Sequence, residues 1–267
     1  MYTSQKKDIQ KESILNPALQ TAEIGSFVRN IYIVQSKETV SSPKNGRLNM
    51  RTGIREQTQN KQWANSPLLW LAVALLAIAG FTLLGPAERS LGSNVRVVYL
   101  HGAWVWAALA GFLSAGLTGL LGLITRRESI RRWSRALGRT GLLFWISYLP
   151  ISIWAMQTNW NGLFLAEPRW RMAVVFAITG LLLQLGVTLL EDPLWASAGN
   201  LFFLVALALT LNRTQNVMHP PAPILNSDAA RIQLFFAGLL LLTLFAAWQV
   251  ARWWRQIECP PSQNLNC

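Results

Sequence analysis

Residues Val97-Val-Tyr-Leu-His-Gly-Ala-Trp-Val-Trp-Ala-Ala-Leu-Ala-Gly-Phe-Leu-Ser-Ala-Gly-Leu-Thr-Gly-Leu-Leu-Gly-Leu-Ile-Thr125 contain no charged side chain. As a helix rising about 1.5 Å per residue, this run outspans a hydrocarbon layer of roughly 30 Å. No alternating strand pattern competes with it, so a β-barrel is not expected. Other apolar runs are read the same way: Pro67–Gly85, Gly141–Gln157, Met172–Leu190, Leu194–Leu211 and Leu234–Trp254. The expected fold is all-α, a polytopic membrane protein with six transmembrane helices in a bundle. Residues 67–254 form this membrane domain, 1–66 a flexible polar cytoplasmic extension and 255–267 a polar C-terminal tail. Gly111, Gly116, Gly119 and Gly122 are helix-packing positions, because small residues let helices approach closely.

A chain that is 52% hydrophobic and 13% charged is not a disordered protein, and its clustered apolar residues exclude an ordinary soluble domain. The net charge of +12 is read as Lys and Arg retained beside spans rather than as a nucleic-acid surface, and no nucleic-acid partner is expected. Cys259 and Cys267 match no metal or redox spacing, which leaves a tail disulfide or two idle thiols. No apolar core follows the first lysines as a signal peptide would require, and Met50 opens a second candidate start.

Loop charge gives the expected orientation. With the amino terminus inside, Arg47, Arg51, Arg55, Lys61, Arg126, Arg127, Arg131, Arg132, Arg135, Arg139, Arg252 and Arg255 flank the inner face. The outer face carries Arg89, Arg96, Arg169, Arg171, Arg213 and Arg231, half as many, and the positive-inside bias favours this arrangement. The short basic cluster Arg126–Arg139 decides most of it. That cluster could also hold anionic lipid, although topology alone accounts for it. The outer connections are then Pro86–Arg96, Thr158–Arg171 and Asn212–Arg231.

The chain has two histidines, His101 and His219, and this orientation brings both to the outer side. His101 lies just inside the second span. His219 is in the third outer connection, stiffened by Pro220, Pro221 and Pro223. Between them in sequence lies Trp160-Asn-Gly-Leu-Phe-Leu-Ala-Glu-Pro-Arg-Trp170. Two imidazoles beside the aromatic faces of Trp160, Phe164 and Trp170 suit a flat iron porphyrin, with Glu167 and Arg169 as polar anchors. Arg96, Arg169, Arg171 and Arg231 are candidate propionate partners, since guanidinium pairs bidentately with carboxylate. The plainer alternatives are a histidine hydrogen-bonded at the lipid interface, a solvated loop histidine and an interfacial aromatic belt. Glu191 and Asp192, before Pro193, are read as cap residues.

These segments resemble the tryptophan-rich haem-handling cytochrome c assembly family, and within it the haem exporter protein C group. That family has a six-span core and an outer loop patterned Trp-Gly-x-Tyr/Trp-Trp-x-Trp-Asp-Pro-Lys/Arg, with one axial histidine before it and one after. Trp160, Phe164, Glu167, Pro168 and Arg169 match the opening Trp, a central aromatic, the acid, the proline and the basic residue. Val98-Tyr-Leu-His101-Gly-Ala-Trp104 is similar to the first histidine segment, and His219-Pro-Pro-Ala-Pro-Ile224 to the second. Asn161, Leu163, Ala166 and Glu167 depart from the pattern and thin the aromatic platform, as in a diverged member. The resemblance covers roughly residues 67–254. It implies non-covalent, transient binding of haem b, with His101 and His219 as axial iron ligands. Partners would be a haem chaperone or other cytochrome c assembly subunits, with membrane lipid around the bundle. The setting would be the bacterial plasma (inner) membrane, crossed several times, with both termini cytoplasmic. The role would be display of haem on the extracytoplasmic face, not enzymatic catalysis.

Three other readings stand beside this one. A haem-b electron carrier would use the same histidines. A membrane metalloenzyme would hold zinc or copper through His101, His219 and Glu167. A transporter or scaffold would carry the histidines incidentally.

Overall fold

The computed structural model describes residues 66–214, Ile224 and 228–258. The expected extension up to residue 65, His219 with its prolines, and Cys259 and Cys267 lie outside the described residues. Six helices are described: α1 Pro67–Leu83, α2 Val95–Thr125, α3 Glu128–Trp160, α4 Pro168–Leu189, α5 Pro193–Arg213 and α6 Ala230–Glu258. No strand occurs among the described residues, only one isolated bridge between Glu88 and Gly92. Helices α2 to α6 are long and apolar enough to cross a membrane. The 17 residues of α1 cover about 25 Å, the lower end of spanning lengths. The fold is that of a polytopic helical membrane protein.

Local chemistry sets the boundaries. Proline opens α1, α4 and α5, where its missing N–H would in any case lack a helical acceptor. The Asp192 carboxylate caps α5 by accepting from the Leu194 N–H at 2.8 Å. Arg126 ends α2 and Asn161 ends α3, both left-handed. Helix α3 begins at Glu128, well ahead of the expected Gly141. Its first turns bury Ser134, Ala136, Gly138 and Thr140 while the arginines between them remain half-buried. Hydropathy falls there because of the arginine heads, but the long Arg stems can lie along apolar surface and the helix continues. The expected inner connection therefore shrinks to Arg126 and Arg127.

Helices α2 and α3 form the centre of the bundle. Helix α5 packs on both, α6 covers their other side, α1 leans mainly on α6, and α4 lies against α5 and α3. The glycines of α2 permit this closeness. A methyl group on Gly111 would lie 2.8 Å from Gly141 Cα, and one on Gly119 2.6 Å from the Ser197 carbonyl oxygen. Neither neighbour can yield, because both are backbone.

One polar network crosses the apolar interior. Gln184 Nε2 donates to Asn200 Oδ1 at 3.0 Å, and Asn200 Nδ2 donates to the Ser134 carbonyl at 2.8 Å. Ser134 Oγ in turn donates to the Ala115 carbonyl at 2.8 Å. These bonds tie α2, α3, α4 and α5 together where water cannot compete. On the outside, Leu76, Leu189, Phe202 and Leu234 are about three-quarters exposed, an apolar surface suited to lipid rather than water.

Candidate functional site

The ends of α2 and α3 meet through two asparagines. Asn94 Nδ2 donates to the Thr158 carbonyl at 3.1 Å, and Asn159 Nδ2 reaches the Asn94 carbonyl at 3.5 Å. His101 lies seven residues past Asn94, about 10 Å along α2. Trp160 directly follows Asn159. The first histidine and the opening of the aromatic loop therefore occupy one end of the bundle.

The connection between α1 and α2 closes over the same end. Tyr99 Oη donates to the Pro86 carbonyl at 3.2 Å, and Arg96 Nε to the Gly85 carbonyl at 2.9 Å. The Glu88 carboxylate accepts from the Ser90 hydroxyl, the Ser90 N–H and the Leu91 N–H. The Ser90 hydroxyl first, and then these amides, hold its pKa below the ordinary 4.5, because each bond stabilises the charged form.

Asn161 adopts φ +49°, a left-handed conformation that asparagine tolerates better than most residues. The chain then runs through Leu163, Phe164 and Leu165, all exposed, to Glu167. The Glu167 N–H donates to the Phe164 carbonyl at 3.1 Å, and the Glu167 carbonyl accepts from the Arg171 N–H at 3.0 Å. Trp160 and Trp170 are half-buried on either side of this turn. Arg169, also half-buried, has its Nε beneath the surface with no acceptor in the structure.

His101 is half-buried, and its ring stands edge-on to Tyr148 with centroids 5.6 Å apart. Tyr148 also meets Trp145 at 5.1 Å. Glu167 lies close enough for its charge to act on the Tyr148 phenol. Tyr148 thus links His101 to Trp145. It was missed in the sequence because it sits within an apolar span with no motif around it.

Little space is open beside His101 on the side of Gly102 and Ala103. Ala103 is fully buried, and a methyl on Gly102 would lie 3.2 Å from Phe236 Cε2 and 3.7 Å from Ile224 Cδ1. The side of α2 next to His101 is filled by Phe236 of α6 and by Ile224. His219 lies outside the described residues, but Ile224 follows it by five.

Among the described residues no group of three or more His, Cys, Asp or Glu is arranged to hold a metal ion. Comparison with known proteins matches the chain to no family model, no curated protein and no solved structure.

Proposed function

We propose that this protein holds haem at one face of the membrane for cytochrome c assembly, as a diverged relative of the haem-handling family its motifs resemble. The observation that carries the reading is the convergence on one bundle end. His101, the Trp160–Trp170 loop and Ile224, five residues beyond His219, all belong to that end. Haem is the cargo, and its ferric or ferrous iron accepts two axial nitrogen ligands. His101 and His219 would supply those nitrogens. Arg169, with its buried Nε lacking an acceptor, suits a propionate, and Trp160 and Trp170 suit the macrocycle edge. The filled space at Gly102 makes the fit partial, so cargo would have to sit toward the loop side of His101.

In this reading the His101 end faces the extracytoplasmic side of a bacterial plasma membrane, because the opposite end carries Arg126–Arg139. No residue of this chain makes or breaks a bond. Its partners would be a haem chaperone and other assembly subunits. A second reading is favoured by the edge-on packing of His101 on Tyr148, which suits a structural histidine in a transporter or scaffold.

The test is the visible spectrum of detergent-purified protein with and without added haemin. The proposal expects a Soret band that weakens in both His101→Ala and His219→Ala. Equal haem binding in wild type and both variants would leave the scaffold reading standing. Stable redox cycling without transfer to an apo-acceptor would favour an electron carrier.

A further inference from the structure

At the end of the bundle opposite His101, four guanidinium groups gather around one carboxylate. Arg139 Nη1 donates to Glu258 Oε1 at 2.9 Å, Arg135 Nε lies 4.0 Å from the same oxygen, and Arg132 Nη1 reaches the Glu258 carbonyl at 3.5 Å. Arg255 also acts electrostatically on Glu258. Glu128 pairs with Arg132. Four positive charges against two negative leave the cluster cationic, in a place where the Glu258 side chain is only 10% exposed.

The donors are not used up. Arg255 Nε and Nη1 are buried without a hydrogen-bond acceptor, as is Arg135 Nε, whose contact with Glu258 is only the 4.0 Å ion pair; Glu258 Oε2 is likewise buried without a donor. Arg255 Nη2 meets the Ser129 hydroxyl at 3.3 Å, at a rim where Ser129 is exposed. A half-buried guanidinium with two unanswered N–H groups is costly unless an acceptor comes to it. Other carboxylates at this end are engaged elsewhere or turned away: Glu128 pairs with Arg132, Asp192 caps α5, and Glu191 offers Arg135 only its backbone carbonyl, at 3.2 Å.

Tryptophans set the depth of the cluster. Arg255 lies over the Trp133 ring at 5.6 Å, and Arg139 over Trp254 at 5.2 Å. Trp133 stacks in turn on Trp248, with centroids 5.3 Å apart. Indoles collect at headgroup level, so the unanswered donors are at the height of lipid phosphates. Basic pockets between helices at that height bind phosphate-bearing head groups.

We propose that Arg135, Arg255 and Ser129, at the junction of α3 and α6, form a binding site for a phosphate group, carried by an anionic phospholipid or by a soluble phosphate. Arg255 offers charged N–H donors to phosphate oxygens, and Ser129 adds a hydroxyl at the rim. The site is independent of the haem reading, since it lies at the other end of the bundle and uses none of the same residues.

Native mass spectrometry of the full chain, titrated separately with phosphatidylglycerol and phosphatidylcholine, tests this. Wild type should prefer phosphatidylglycerol, and Arg255→Gln should reduce that preference about ten-fold, the scale of one lost charge-assisted contact. Inorganic phosphate that displaces the lipid at millimolar concentration would assign the site to soluble phosphate. Failure to displace it would assign the site to the lipid head group. Equal binding of the two lipids by wild type, or an unchanged preference in a folded Arg255→Gln, overturns the proposal. Should that variant not fold, the wild-type preference must still fall at high salt, and a salt-independent preference also overturns it.

Discussion

Replacing Asn200 with alanine should weaken the bundle by an amount that can be worked out from its bonds. Asn200 is 5% exposed, accepts from Gln184 Nε2, and donates both to the Ser134 carbonyl and, at 3.1 Å, to Ser134 Oγ. Side-chain hydrogen bonds between membrane helices average about 0.6 kcal/mol and reach about 1.7 kcal/mol. Three of them give about 2 kcal/mol, or roughly thirty-fold in the unfolding equilibrium. The alanine also leaves a gap against Gly138, where a methyl group would now lie 2.5 Å from Asn200 Oδ1. Asn200→Ala with Gly138→Ala should therefore recover part of the packing but none of the hydrogen bonding. Unfolding in mixed micelles, followed by tryptophan fluorescence, provides the assay. Thr210→Val is the control, because the Thr210 hydroxyl bonds only the Ala206 carbonyl of its own helix. A loss in Asn200→Ala no larger than in Thr210→Val would refute the claim that this network joins four helices.

Two further outcomes concern the ends of the bundle. The Glu88 carboxylate is held below 4.5, so its contribution to the α1–α2 connection is complete above that value. It is lost as pH falls through the lower folded-state value. Amide signals of Ser90 and Leu91 should titrate with a midpoint under 4.5 and become flat in Glu88→Gln, and a midpoint at or above 4.5 would contradict the bonding described. Once Cys259 and Cys267 are replaced, single cysteines at Ser90 and Leu163 should react from one side of the membrane and a cysteine at Ser129 from the other. The proposed orientation requires the first pair to be extracytoplasmic.

Much of the bundle was legible because apolar runs long enough to span a bilayer have few other ways to satisfy their backbone. The helix begins at Val95, only two residues before the expected run from Val97, and the four glycines within it lie at close approaches. The beginning of α3 was not legible, since hydropathy treats Arg131, Arg132, Arg135 and Arg139 as loop whereas their stems pack along a helix. A signal was present in the spacing of Ser134, Gly138 and Gly141, small residues on one face, and all three are buried. Glu258 was likewise read as part of a polar tail, while α6 carries it into the arginine cluster.

At the candidate site, sequence placed His101 and Trp160 at one end, as the Asn94 and Asn159 bonds show. It could not show that Tyr148 packs on His101, or that Phe236 and Ile224 fill the space at Gly102. Those contacts come from α3, α6 and the third connection, far apart in sequence from His101. The small residues after His101 provide room for these neighbouring side chains.

Electron paramagnetic resonance of the haemin-loaded protein bears most directly on paired ligation by His101 and His219. The account predicts a low-spin, six-coordinate ferric signal in wild type that turns high-spin in His101→Ala and in His219→Ala alike. A high-spin wild type, or a low-spin signal that survives both substitutions, would contradict it.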